Sequence, residues 1–265
     1  MRLFFLHIPK TAGTSLDILL KLQYSKKEIH PWDNIKFVEL QEKYKNGDIE
    51  PKDFKVLKGH YHYGIHNYMN IEGDYRYVTF LRDPIDRVKS HIRQYLRMPK
   101  SYIYREFQKE KSLYKLIKNN KVYGFSNMQT AWISGQKFRN DLNMELIFKE
   151  AESNISKDFM YVGIQEMFNE SLFQIYQKVD WKYYPYYNSL NISTKNELDS
   201  ITFDSDTIKL IEDINQYDIK LYQKYKSIVE NDHSKTDLKE YKTYLTRLKY
   251  FQKAHNSYTK MRNIL

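Results

Sequence analysis

The stretch FLHIPKTAGTSL, residues 5–16, places one lysine, one glycine and three hydroxyl side chains in a short polar turn after an apolar run. Such a turn suits a phosphate, because backbone N–H groups and the positive end of a following helix converge on an anion, and Lys10 adds a full charge. The residue order separates it from a Walker loop. GxxxxGK[ST] puts its lysine after the second glycine, whereas Lys10 precedes Gly13, the only glycine here. Asp83 is better explained as a helix cap than as a magnesium ligand, so a magnesium-dependent NTPase or kinase is disfavoured. A second concentration of reactive side chains is GHYHYG, residues 59–64, with His66 close behind. His60 and His62 alternate as in a strand that puts two rings on one face. With no clear carboxylate or further histidine at ligand spacing, metal binding is the lesser reading and no metal is expected.

The elements that must hold these residues read as an α/β pattern. RLFFLHI, residues 2–8, is almost continuously apolar, as a strand buried on both faces of a parallel sheet is, and belongs at the sheet centre. Thr14 or Ser15 suits the cap of a helix whose Leu16, Leu19, Leu20 and Leu22 form one stripe. FKVLKGHYHYG, residues 54–64, offers a strand ending near Gly59, and YRYVTFL, residues 75–81, offers a third. RDPIDRVKSHIRQYLR follows at once, with Asp83 at the cap and Pro84 in the first helical position. Helical segments fill 101–155, FMYVGI at 159–164 is a fourth strand, and helices follow at 166–179 and 213–229. The expected fold is a three-layer, P-loop-like α/β domain with a central parallel sheet over residues 1–229. After the polar break ENDHSKTD, residues 235–265 read as a basic amphipathic helix with Leu238, Tyr241, Leu245, Leu248 and Phe251 at helical spacing.

Composition bounds the partners. The 265 residues are 41% hydrophobic, enough for one domain with a real core and an appendage. Forty-three Lys and Arg against 33 Asp and Glu give a net charge of +10, which favours acidic ligands. The absence of cysteine removes disulfides, thiolate zinc sites and thiol nucleophiles. No run approaches the length of a membrane span, and the first strand begins without a signal peptide. A cytoplasmic bacterial enzyme is the expectation, with a chain cut from a membrane-anchored protein as the alternative.

HIPKTAGTS, GHYHYG, FLRDPIDRVKSHI, NMQTAWISG (127–135) and VGIQEMFNESL (162–172) occur in one order. Together they resemble the carbohydrate sulfotransferases related to the heparan sulfate uronosyl 2-O-sulfotransferases, the sulfotransferase family 2 group. Order and spacing cover roughly the first 225 residues.

The resemblance implies sulfuryl transfer from 3'-phosphoadenosine 5'-phosphosulfate (PAPS) to an acceptor hydroxyl, on a saccharide that is plausibly acidic, with no metal and no nucleic acid partner. It implies that Lys10, Thr11, Ala12, Gly13, Thr14 and Ser15 hold the 5'-phosphosulfate. Gly13 would let the backbone approach, the three hydroxyls would donate, and Lys10 would face the bridging oxygen, where charge grows as the S–O bond breaks. Arg82 and Ser90, in the pattern RDPxxRxxS, would bind the 3'-phosphate, while Arg87 reads as a structural tie. His60, after the strand-terminal Gly59, matches the family's catalytic base. Relatives carry a second histidine two residues earlier, where this chain has Lys58, and His62 is the nearby histidine that could compensate. NISTKNEL, residues 191–198, lies where relatives close a loop over the nucleotide, with Ser193 or Lys195 as contacts or the segment as a plain connector. NMQTAWISG reads as packing beneath the acceptor cleft. The alternatives are a non-catalytic nucleotide- or nucleic-acid-binding module, and a homodimer formed through the C-terminal helix.

Overall fold

The computed structural model describes residues 1–30, 42–48, 54–119, 124–136, 143–187 and 201–262. NISTKNEL, with Ser193 and Lys195, lies outside the described residues. Four parallel strands, β1 (Arg2–Leu6), β2 (Val56–Gly59), β3 (Tyr75–Leu81) and β4 (Phe159–Ile164), form one sheet in the order β2-β1-β3-β4. Helices flank the sheet, giving the three-layer α/β architecture expected. Leu3, Phe4, Phe5 and Leu6 of β1 are all buried, because a strand with neighbours on both edges and helices beyond has no solvent face to alternate with.

Strand order positions the site. β1 leads through α1 (Gly13–Gln23) to β2 on one side, whereas β3 lies on its other side. The loops leaving β1 and β3 therefore part at the carboxyl edge, the crevice where open α/β sheets take ligands. Register sets the depth of each loop: Leu6 pairs with Gly59 on β2 and with Thr79 on β3. His7 thus lies level with His60, and its N–H donates to the Gly59 carbonyl at 3.0 Å.

Local chemistry explains the element ends. Asp83 caps α3 (Pro84–Leu96) by accepting from the Asp86 N–H at 2.9 Å, with Pro84 in the first turn. Arg87 is fully buried, its guanidinium donating to the Gly124 carbonyl at 2.8 Å and touching Met128 Sδ, so it ties α3 to the loop before the next buried helix. Short helices α2 (Ile65–Tyr68), α4 (Tyr102–Glu110), α5 (Leu113–Asn119) and α6 (Met128–Ser134), then α7 (Met144–Asp158), fill the rest of the region before β4 and α8 (Phe168–Lys178).

Three boundaries differ from expectation. α1 begins at Gly13 with Ala12, not Thr14 or Ser15, in the cap position, and no side chain caps it. Lys10 and Ala12 both adopt left-handed backbone (φ 73° and 64°), a tight turn that starts the helix early. The closing helix is two, α9 (Ser205–Ile214) and α10 (Gln216–Ser234). Between them buried Asn215 donates to Phe125 O and Ile211 O and accepts from the Asn127 N–H, so its side chain serves a distant loop. The polar break shrinks to residues 235–237, since helix-compatible side chains carry α10 to Ser234, and α11 (Leu238–Arg262) follows. Tyr241, Tyr244 and Leu248 of α11 are buried with Phe173 of α8, whereas Leu238 is 65% exposed.

Asp218, fully buried on α10, accepts from the Gln129 N–H (3.0 Å), the Thr130 N–H (2.7 Å) and the Thr130 hydroxyl (2.8 Å) at the start of α6. Asp218→Ala strands these three donors in the interior and is expected to cost about 2–4 kcal/mol. Asp213→Ala, on the exposed side near the end of α9, is expected to stay within about 0.5 kcal/mol. Denaturant unfolding of the two variants checks the contrast.

Candidate active site

The turn after β1 holds itself together before it holds anything else. Thr11 is 1% exposed and its hydroxyl donates to the Ile8 carbonyl at 2.8 Å. Its side chain, expected to donate to a ligand, instead closes the turn, and what Thr11 offers outward is backbone. The first N–H groups of α1, from Gly13 onward, have no intrahelical acceptor and mark an anion-binding end. Ser15 is half-buried in the first turn of α1.

Gly13 has a reason the sequence did not disclose. A Cβ built there would lie 1.7 Å from Cε1 and Nε2 of His7, so the His7 ring occupies the volume any other side chain would need. Backbone approach to a ligand is the reason the sequence suggests; close packing of an imidazole against the helix start is a second, independent one.

Arg82, leaving β3, reaches this turn: its Nη1 donates to the Lys10 carbonyl at 3.3 Å. Its backbone is fixed on both sides by one side chain, for the Arg82 N–H donates to Gln129 Oε1 at 2.9 Å and Gln129 Nε2 donates to Arg82 O at 3.0 Å. Helix α6, read from sequence as packing alone, therefore sets the position of Arg82. Gln129 was missed because no local pattern marks a glutamine that serves a residue 47 positions away. Next to Arg82, the Asp83 N–H donates to Glu166 Oε1 at 3.1 Å, and Tyr222 holds the other Glu166 oxygen at 3.2 Å.

The electrostatics are one-sided. Burial pushes the Lys10 ammonium below its ordinary pKa, and the charges of Arg82 and Arg97 push it further. His91, on the middle of α3, is brought down to about 3, first by burial and then by Arg87 and Lys10. Ser90 is half-buried on α3, and Arg93, one turn on, shares its side. Arg93 also covers the Phe203 ring at 5.3 Å. Nε of Arg82 and Nε of Arg93 are both buried with no hydrogen-bond partner among the described residues. Guanidinium groups with unused donors suit a multiply charged anion, and that of Arg82 lies against the Lys10 turn. Arg93 was not singled out from sequence, although its spacing of three from Ser90 was the available signal.

His60 follows β2 and is solvent-exposed, although its ring stacks on His7 (centroids 4.3 Å, 30° apart) and meets Trp132 edge-on at 6.0 Å. His60 Nδ1 lies 2.7 Å from the His7 carbonyl. A carbonyl only accepts, so Nδ1 carries the proton and Nε2 holds the lone pair. Burial lowers the His60 pKa, the bond to His7 opposes that, and Lys58 lowers it again, leaving it below the ordinary 6.5. His62 is buried, its ring 5.1 Å from the same Trp132. Lys58 pairs with Asp17 at 2.9 Å, and Lys21 holds the other Asp17 oxygen at 2.8 Å. Burial pushes the Asp17 carboxyl up, but these two lysines outweigh it and leave the carboxylate stabilised. Among the described residues no group of three or more His, Cys, Asp and Glu is placed to hold a metal ion, and no helix is long and apolar enough to cross a membrane.

The turn, the RDP helix and the base candidate thus meet at one sheet edge. No curated protein matches the chain. A family model described as a sulfotransferase family matches residues 1–226, which leaves only the end of α10 and all of α11 outside it. The chain therefore belongs to the sulfotransferase family, and sulfuryl transfer is its chemistry.

Proposed function

We propose that the protein transfers a sulfuryl group from PAPS to a saccharide hydroxyl by in-line displacement. The observation that carries this reading is the contact of Arg82 with the Lys10 carbonyl, which joins two cationic loops at the switch point of the sheet. The donor carries a phosphosulfate at one end and a 3'-phosphate at the other, so it needs two anion sites at a fixed separation. The turn from Lys10 to Ser15 supplies the first, through Lys10, the helix N–H groups, and the backbone of Thr11, Ala12 and Gly13. Arg82 and Ser90, joined by Arg93, supply the second.

His60 Nε2 takes the proton of the attacking hydroxyl while its Nδ1–H stays on the His7 carbonyl. The acceptor oxygen bonds to sulfur, the bridging S–O bond breaks, and its electron pair goes to the 5'-phosphate oxygen. Lys10 faces that oxygen and stabilises the growing charge more in the transition state than in the ground state. The products are a sulfate ester and adenosine 3',5'-bisphosphate. A net charge of +10 favours an acidic glycan among saccharides.

Two experiments test this. Adenosine 3',5'-bisphosphate is expected to raise the melting temperature, whereas ATP with magnesium at equal concentration does so less or not at all; the reverse order overturns the donor assignment. In transfer of labelled sulfate to a panel of acidic and neutral glycans, Lys10→Ala is expected to lower kcat about 10²–10³-fold and His60→Ala about 10²–10⁴-fold.

The pH profile has a sign fixed by the two shifts. His60 works as a base only when neutral, so kcat/KM falls as pH drops through a value below 6.5. Lys10 works only when charged, so kcat/KM falls again as pH rises through a value below 10.5. His60→Ala is expected to remove the acidic limb and Lys10→Ala the alkaline limb of the residual rate. Loss of neither limb would separate these residues from the chemistry.

A further inference from the structure

The His7 ring takes no part in the chemistry just described, yet three independent contacts converge on residue 7. Its N–H donates to the carbonyl of Gly59, the residue before His60, at 3.0 Å. Its carbonyl accepts from His60 Nδ1 at 2.7 Å. Its ring stacks on the His60 ring at 4.3 Å and fills the volume a side chain on Gly13 would take. Burial, with the nearby charges of His60, Lys58 and Lys10, keeps this imidazole well below its ordinary pKa, so the ring stacked on His60 is a neutral one.

We propose that His7 is a positioning residue, whose ring and carbonyl together hold the His60 imidazole in one orientation and one tautomer, and that position 13 is glycine to admit that ring. The inference rests on the reading of His60 as the base, and it adds a mechanical link. The same ring touches the first residue of the donor-binding helix and the face of the base, so displacement of either is felt by the other. The carbonyl alone would fix the tautomer but leave the ring free to swing about that hydrogen bond; the stack removes this freedom. Trp132 limits the ring edge-on from α6.

The groups that act on the His60 charge are the His7 carbonyl, just after β1, and Lys58 on β2, already paired with Asp17; Trp132 carries no charge. Removing the His7 ring admits water to the face of His60 and relieves its burial, so its pKa moves up toward 6.5.

The test uses the full chain and two readouts. The first is titration of the His60 ring by NMR, with the signal assigned by its loss in His60→Ala. The wild type and His7→Phe are expected to titrate alike below 6.5, with His7→Ala higher by about half a unit or more. The second is sulfuryl transfer. His7→Ala is expected to lower kcat about 10–100-fold with the donor KM little changed, and His7→Phe to stay within about threefold of wild type. Gly13→Ala, which collides with the ring, is expected to impair kcat alone but to add little on the His7→Ala background, a coupling that two unrelated defects would not show. Unchanged His60 titration in His7→Ala, or equal losses in the Phe and Ala variants, overturns the proposal. If the wild type sulfates no acceptor, the function reading fails while the titration still decides the role of His7.

Discussion

Positive charge crowded into a small volume is the constraint on which this structure turns. The charges acting on the Lys10 ammonium, those of Arg82 and Arg97, are both of its own sign, and burial adds to their effect. Left to themselves such groups would move apart into water, where their repulsion is screened. The fold prevents it by fixing backbone rather than side chains. Lys10 is held in a left-handed turn closed by the Thr11 hydroxyl, and Arg82 is clamped through both its peptide groups by Gln129. Gln129 in turn begins a helix whose first N–H groups end on buried Asp218. A chain of hydrogen bonds thus runs from α10 through α6 to β3 and the first turn, and it holds in place a repulsion that a polyanion would relieve.

The C-terminal helix stands outside that chain. α11 lies wholly beyond the residues matched by the family, and it docks through Tyr241, Tyr244 and Leu248 onto Phe173 of α8 and the tyrosines at 184, 186 and 187. Tyr184 donates to the Tyr244 carbonyl and Gln252 to the Tyr187 carbonyl, so the seam is polar as well as aromatic. Most of the apolar stripe legible in the sequence is thus turned inward on the chain's own domain. Leu238 and Tyr250 remain outward, beside the lysines that give the tail its charge.

Signals carried by neighbouring residues were legible. β3 and β4 occupy the residues expected, because a short apolar run bounded by polar residues has one structural solution, and Asp83–Pro84 marked the start of α3. The site was legible where its residues lie within a turn or a turn-to-helix unit, as Lys10 and Gly13 do. What the sequence hid depends on pairing across the sheet. His7 stands beside His60 only because β1 and β2 run in parallel with Leu6 opposite Gly59, and that register, not any local pattern, explains Gly13. The break at Asn215 was equally hidden, since the groups it binds lie at Phe125 and Asn127. Lys58 was legible as a departure but not as a partner of Asp17, a contact between β2 and α1.

The same positive field also acts on the proposed base, His60. Burial and then Lys58 lower the proton affinity of His60, and burial, His60, Lys58 and Lys10 do the same to His7, so both rings hold a proton less readily than an ordinary histidine. A weakly basic histidine is a poor proton acceptor by itself, and within the proposed reaction that weakness is conditional. A polyanion beside Lys10 and Arg82 offsets part of the positive field, and by linkage a site whose anion binding is strengthened by protonation of His60 must bind that proton more tightly once the anion is in place. A lowered basicity before donor binding, and a greater one after it, then follow from one arrangement of charges. His7 supplies what electrostatics does not: a fixed direction for the lone pair that receives the proton.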